Sequence, residues 1–317
     1  MINRELIRLK IVQLIYAYYQ NEGKAVDVAL KELDFSMDKG YELYRYMLNF
    51  LVEIRNYCVG RDEARRQREA RTGAKTDGVN PYGQLANNQF LCQLSDNLML
   101  REYREKVKKD WAEEEVHVKH LAQVFAESDF FVAYLNAGDF SYDADREIVR
   151  KLYKTYINGK DDLDGMLEEH SLYWNHDRDV VDSFVMKTIK RFNPDNGAEQ
   201  ALLPQFADND DRLFAQQLFA QTIKRGEEVR QYIRQHCKNW EFSRLAFMDV
   251  VIMQIAMAEI LSFPAIPLAV SINEYLNIAK MYSTPRSSAY INGLLDHICK
   301  TLREEGKLLK ERQSSDK

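Results

Sequence analysis

Apolar residues recur along this chain at spacings of three and four, the period of a helix with one buried stripe, and no stretch holds the alternation of a strand. Ile7, Ile11, Leu14, Ile15 and Tyr18 form one such stripe and predict a first helix over 3–20, with Arg4 and Arg8 one turn apart on its flank. A short helix is expected at 25–36. A long one is expected at 38–72, apolar through Tyr41, Tyr44, Met47, Leu48 and Leu51 and charged beyond Cys58. In its charged part Arg61, Arg65 and Arg68 recur at i, i+4 and i+7, an arginine stripe that leads to a Gly/Asn/Pro loop at 73–88. Further helices are predicted at 89–109, 111–126, 145–158, 161–173, 177–192, 210–236, 242–262, 270–281 and 285–308, with a frayed tail at 309–317.

The stretch SINEYLNIAKMYSTPRSSAYINGLLDHI at 271–298 predicts a helical hairpin. Ser271 with Glu274 three residues on has the form of a capping box, and Ile272, Leu276 and Ala279 supply a stripe. Thr284 as N-cap and Pro285 at the first helical position start the second arm. Its stripe is Ile291, Leu295, Ile298 and Leu302, and Gly293 falls on another face beside Tyr290 and His297. A mid-helix glycine is unfavourable by about 1 kcal/mol against alanine. Two explanations stand side by side: a partner approaches the backbone at Gly293, or a neighbouring helix packs tightly there.

Composition narrows the class. With 45% hydrophobic residues and only 13 Gly and 6 Pro in 317, the chain reads as an all-α globular protein. Cys58, Cys92, Cys237 and Cys299 are scattered with no CxxC pair, which suits buried thiols in a reducing compartment. The most apolar stretch, 245–261, carries Asp249, Gln254 and Glu259, so no membrane span is expected and a cytoplasmic location is. A net charge of −5 confines any nucleic-acid binding to a local patch. EEEVHVKH at 113–120 brings His117 and His120 near Glu113 without an HExxH spacing, and it reads as a polar helix face rather than a metal site. No Gly-rich phosphate loop, nucleophile elbow or dinucleotide fingerprint occurs, so neither catalysis nor a cofactor is expected.

One internal similarity bears on organisation. At a constant offset of 66, Asp145, Arg146, Leu152, Ile157, His170, Trp174, Arg178, Val185 and Ile189 meet Asp211, Arg212, Leu218, Ile223, His236, Trp240, Arg244, Val251 and Ile255. An ungapped match of this kind points to a repeat. The expected layout is N-terminal core helices at 1–36, a helical insertion at 37–205 partly copied from the core, and a C-terminal bundle at 206–308.

The hairpin sequence resembles the C-terminal helices of the transcription antitermination factor NusB family, in which an INE helix ending in Ala-Lys precedes a helix with (F/Y)-(V/I)-N-G-(V/L)-L-D. MDVVIMQIAMAEIL at 248–261 and RLKIVQLIYAYYQ at 8–20 resemble two further helices of that family. The resemblance covers 1–36 and 206–305 and implies a NusB-like helical bundle enlarged by the insertion. It implies a non-catalytic RNA-binding adaptor that pairs with NusE, a ribosomal small-subunit protein. The pair would bind boxA-type single-stranded RNA in ribosomal RNA leaders and act on the transcription elongation complex. By position, Arg4, Arg8, Arg286 and Tyr290 correspond to RNA contacts, and Tyr16, Asp249 and Gly293 to the surface shared with the partner. Arg286 and Gln254 depart from the family, which commonly has an acidic residue at the first and Arg at the second. Arg61, Arg65 and Arg68 are candidates for an additional phosphate contact, against the simpler reading of a solvated face. The alternative function is a helical scaffold in ribosome assembly that does not read RNA sequence.

Overall fold

The computed structural model describes residues 1–21, 25–73, 78–108, 111–174, 177–237 and 245–308; the expected frayed tail at 309–317 lies outside them. Among the described residues the regular elements are helices, as expected, with one isolated parallel bridge between Ile2 and Phe206. The chain divides into two compact units. A central unit holds Lys39–Gln205 with Met1, and a flanking unit joins Ile2–Asp38 to Phe206–Lys317.

The flanking unit is organised by one helix that is apolar on every side. It contains α1 (Arg4–Gln20) and the start of α2 (Val26–Thr72), then α11 (Asn209–Lys224), α12 (Gly226–His236), α13 (Phe247–Ser262), α14 (Leu268–Tyr282) and α15 (Pro285–Glu304). Every residue of α13 from Asp249 to Ile260 is buried, and α1, α11, α12, α14 and α15 all pack on it. A helix without a polar face belongs in the middle of a bundle, since any exposed side would leave apolar surface in water.

In the hairpin, Thr284 caps α15 by accepting from the Ser287 amide at 3.2 Å, and Ile291, Leu295, Ile298 and Leu302 are buried as predicted. The first arm differs. Its helix begins at Leu268, so Ser271 lies inside it and its hydroxyl donates to Glu259 Oε1 at 2.8 Å instead of capping. Ser271, Tyr275, Ile278 and Ala279 point inward, and Ile272 and Leu276 are only half-buried. Buried Glu259 needs hydroxyl donors, and that need rotates the inward face toward the polar side chains.

In the central unit the rest of α2 runs with α3 (Pro81–Ala86), α4 (Gln89–Asp96), α5 (Leu98–Val107), α6 (Glu115–Glu127), α7 (Asp129–Ala137), α8 (Tyr142–Tyr156), α9 (Asp164–His170) and α10 (Arg178–Arg191). The break expected between 36 and 38 does not exist. Leu33, Ser36, Met37, Leu43, Tyr44 and Met47 are all buried, so the three-four period passes through Ser36 without interruption. The predicted 89–109 helix is instead two, because Asn97 accepts from the Leu100 amide at 3.2 Å and caps a new start. The predicted 210–236 helix likewise divides at Arg225 into α11 and α12.

Asp145 ties three elements together. It accepts from the Gln89 amide at 2.6 Å and from the Tyr134 hydroxyl. Shifted by 66 residues, α8, α9 and α10 fall on α11, α12 and α13. Leu152, Val185 and Ile189 are buried, as are Leu218, Val251 and Ile255; Trp240 and Arg244 lie outside the described residues.

Candidate nucleic-acid and partner interface

Asn3 caps α1, its side chain accepting from the Leu6 amide at 2.9 Å, and this fixes where the two arginines of the first turns point. Arg4 projects outward with its side chain 43% exposed, lies 4.9 Å from the Phe214 ring and pairs with Asp211 at 3.1 Å. Arg8 does the opposite. It is 3% exposed and its guanidinium forks onto Glu259 at 2.8 and 2.9 Å, with Glu274 at 3.5 Å. The expectation that Arg8 contacts RNA is therefore corrected, since a phosphate cannot reach a donor whose fork is closed inside the bundle.

Further along α1, Tyr16 is half-buried with its ring 5.3 Å from that of Phe247, which is 37% exposed. Asp249, two residues on in the first turn of α13, is buried, and its Oδ1 has no hydrogen-bond partner among the described residues. Gln254, the departure from the family pattern, is a buried clamp. Its amide nitrogen donates to the Tyr19 hydroxyl at 2.6 Å and to the Thr222 carbonyl at 2.9 Å, and its oxygen accepts from Arg230 Nε at 3.1 Å. Arg230 is held over the Tyr19 ring at 4.2 Å. A guanidinium is thus present here, supplied from α12 rather than α13. The clamp needs Gly226, because a Cβ there would sit 2.8 Å from the Tyr19 hydroxyl and 2.9 Å from Gln254 Nε2. Tyr19, Arg230 and Phe247 were not singled out from the sequence, since Tyr19 lies more than 200 positions from Arg230, Phe247 and Gln254 and no local spacing signals these contacts.

On α15, Arg286 is exposed and Tyr290 is half-buried, its hydroxyl donating to Cys237 Sγ at 3.4 Å. Burial pushes the Tyr290 phenol up, and the Cys237 contact adds to it. Gly293 is exposed, between exposed Asn292 and Asp296, and nothing lies within 4 Å of where its Cβ would be. Tight helix packing inside the chain therefore does not account for this glycine. Arg4 thus sits with α11, Tyr16 with α13 and Tyr290 with the end of α12, all in the flanking unit.

The arginine stripe of α2 is in the central unit. Arg61 lies 5.1 Å from the Tyr82 ring, and Arg68 is exposed. Arg65 is bound to Asp62 at 3.0 Å and Glu69 at 2.8 Å, so most of its charge is answered within its own helix. In the same unit Glu113, Glu114 and His170 bring ligand-type atoms within 4.8 Å of one another, an arrangement able to hold a cation. His170, rather than His117 or His120 of the segment read as a polar helix face, joins the carboxylates: its Nε2 is 2.5 Å from Glu114, which also accepts from the Tyr46 hydroxyl at 2.9 Å. The residues lie 56 positions apart, which hides the grouping from any local motif.

No described helix is long and apolar enough to cross a membrane. The NusB family model matches residues 183–300. The protein named transcription antitermination protein NusB from Salinibacter ruber is 41% identical over 132 residues, 40% of this chain and 82% of the relative. Proteins of that name from Koribacter versatilis and Chloroherpeton thalassium are 42% and 41% identical, over 30% and 28% of this chain and 66% and 42% of their own lengths. No solved structure matches the chain. An all-helical fold, a family model that runs from within α10 through α11–α14 into α15, and this identity across most of a relative's length establish that the chain belongs to the NusB family.

Proposed function

We propose that this protein is a non-catalytic, RNA-binding transcription antitermination factor. It acts in the cytoplasm with NusE on boxA-type leader RNA, in contact with the elongation complex. The observation that carries this reading is the similarity to relatives named transcription antitermination protein NusB. Geometry supports it in two places. Gly293 lies open on an exposed helix face, with no described residue within 4 Å of where its Cβ would be, as a backbone kept clear for a docking partner would be. Arg4 and Arg286 are exposed cations and Tyr290 a half-buried aromatic, the residue types that hold phosphates and bases of single strands. In this reading Tyr16, Asp249 and Gly293 meet NusE, whereas Arg4, Arg286 and Tyr290 meet RNA. Arg61 and Arg68 provide the accessible part of a second phosphate contact, to which Arg65 adds by exchanging its carboxylate partners.

So sparse a basic surface binds RNA weakly by itself, and NusE raises the affinity. Titrating the purified chain with leader RNA, with and without NusE and with and without boxA, tests this. Tight binding only when both are present is the expected result. Equal RNA affinity with and without NusE overturns the reading, and NusE-dependent binding that ignores boxA favours the ribosome-assembly scaffold instead.

A further inference from the structure

The central unit contains a cavity of about 290 Å³ lined by Glu53 and Tyr57 of α2, Trp111 and Ala112, and Glu115 and Val118 of α6. Glu53 and Trp111 also form part of a second cavity of about 180 Å³, which adds Tyr46, Tyr103 and Arg104. Among the described residues the only cation in either lining is Arg104, and it is already engaged, donating to Asn49 Oδ1 at 3.0 Å and the Ser95 carbonyl at 2.6 Å. Glu53 accepts only a long bond from Asn56 at 3.3 Å, and neither Glu53 nor Glu115 is in an ion pair among the described residues. Burial pushes the Glu53 carboxyl above its ordinary range, with Asn56 and Arg104 pulling it back in part. The larger cavity therefore offers two carboxylates, two aromatic side chains and the apolar side chains of Ala112 and Val118.

We propose that this cavity binds a short aliphatic diamine, or the end of a longer polyamine, with one ammonium at Glu53, a second at Glu115 and the methylene chain against Trp111 and Tyr57. Carboxylates accept from an ammonium and have no donor to offer a neutral or anionic ligand. Aromatic faces attract the same cation through their quadrupoles. An aliphatic chain carrying two charges matches a lining that combines two carboxylates with the apolar side chains of Ala112 and Val118. The proposal is independent of the antitermination role.

Isothermal titration of the full chain with putrescine and spermidine tests it, with butylamine, MgCl2 and a trilysine peptide as comparisons. Both amines bind, butylamine binds more weakly, and Glu53→Gln and Glu115→Gln each weaken diamine binding about tenfold or more. Glu102→Gln, which alters an exposed carboxylate paired with Lys106, leaves binding unchanged. Glu115 is exposed, so its variant keeps the fold and preserves the test should Glu53→Gln not fold. Equal affinities across the variants, butylamine equal to putrescine, or displacement of the diamine by Mg²⁺ at equal concentration would each overturn the proposal. Tighter binding of trilysine than of either amine would assign the cavity to a basic protein segment and overturn it as well.

Discussion

Each unit contains a buried arginine, a buried carboxylate and a fully buried tyrosine, yet the two groups are assembled differently. In the flanking unit Glu259 of α13 gathers Arg8 from α1 and Ser271 and Tyr275 from α14, the last at 2.9 Å. In the central unit Arg178 and Asp182 sit one turn apart on α10, at 2.9 Å. Asp182 accepts from the Tyr153 hydroxyl of α8 at 2.5 Å and from the Gly159 amide at 3.0 Å. Arg178 also reaches the Ile157 carbonyl at 2.5 Å and Asp164 at 3.1 Å. The first group joins three helices through one carboxylate. The second is half local, and its arginine retains other acceptors if the carboxylate is lost.

That difference ranks the consequences of breaking each. Glu259→Ala leaves the buried Arg8 charge only the 3.5 Å contact with Glu274 and should cost about 3–5 kcal/mol, read as a lower urea midpoint by circular dichroism. Combining Arg8→Met with Glu259→Leu should recover only part of this, because the Ser271 and Tyr275 hydroxyls lose their acceptor. Full recovery would show that those hydroxyls contribute nothing.

Asp182→Asn should cost less, about 1–3 kcal/mol, and should change the pH profile. Burial raises the Asp182 carboxyl above its ordinary value, against the opposing pull of Arg178, Tyr153 and the Gly159 amide. The stability this shift contributes is complete below the ordinary carboxylate value of about 3.9 and is lost as pH rises through the raised value. Subtracting the variant's stability from that of the wild type between pH 4 and pH 7 should leave a difference that falls with pH. Arg8 contrasts with it. Burial works to lower its value, but the Glu259 bonds and charge prevail and raise it above that of an ordinary guanidinium, so its contribution is constant over the same range. A flat difference for Asp182 would remove this distinction between the units.

The smallest effects concern glycines. Gly83 of the central unit and Gly226 of the flanking unit both abut polar side chains, with Asp62 Oδ1 at 2.8 Å from a Cβ at Gly83. Alanine at either should lower the melting temperature, whereas Gly293→Ala, with open space around it, should raise stability by about 0.5–1 kcal/mol. A melting temperature lowered by Gly293→Ala would show a constraint on α15 that its surroundings do not reveal.

What the sequence makes legible follows the same division. Apolar stripes were readable where no buried polar group turns the helix, as Ile291, Leu295, Ile298 and Leu302 show against Ile272 and Leu276, and so was the Thr284–Pro285 helix start. Arg8, Ser271 and Tyr275 were not, because hydrophobic periodicity assigns polar side chains to the outside, and only the distant Glu259 makes their burial favourable. Ser36 misled in the opposite direction. It looks like a helix boundary and instead lies buried within α2. The clamp of Gln254, Tyr19 and Arg230 belongs to the same class as Arg8, with partners fixed by the fold and not by spacing.

The pairing of Arg8 with Glu259 crosses 251 positions of chain, and this sets an order of events during synthesis. At about 5–20 residues per second, α1 leaves the ribosome roughly ten to fifty seconds before its carboxylate partner exists. Through that interval Ile7, Ile11 and Ile15 cannot reach α13, the helix on which α1 comes to rest. Residues Lys39–Gln205 of the central unit are all made within that wait and can complete their own folding first, so α1, though made before them, finds its place after them.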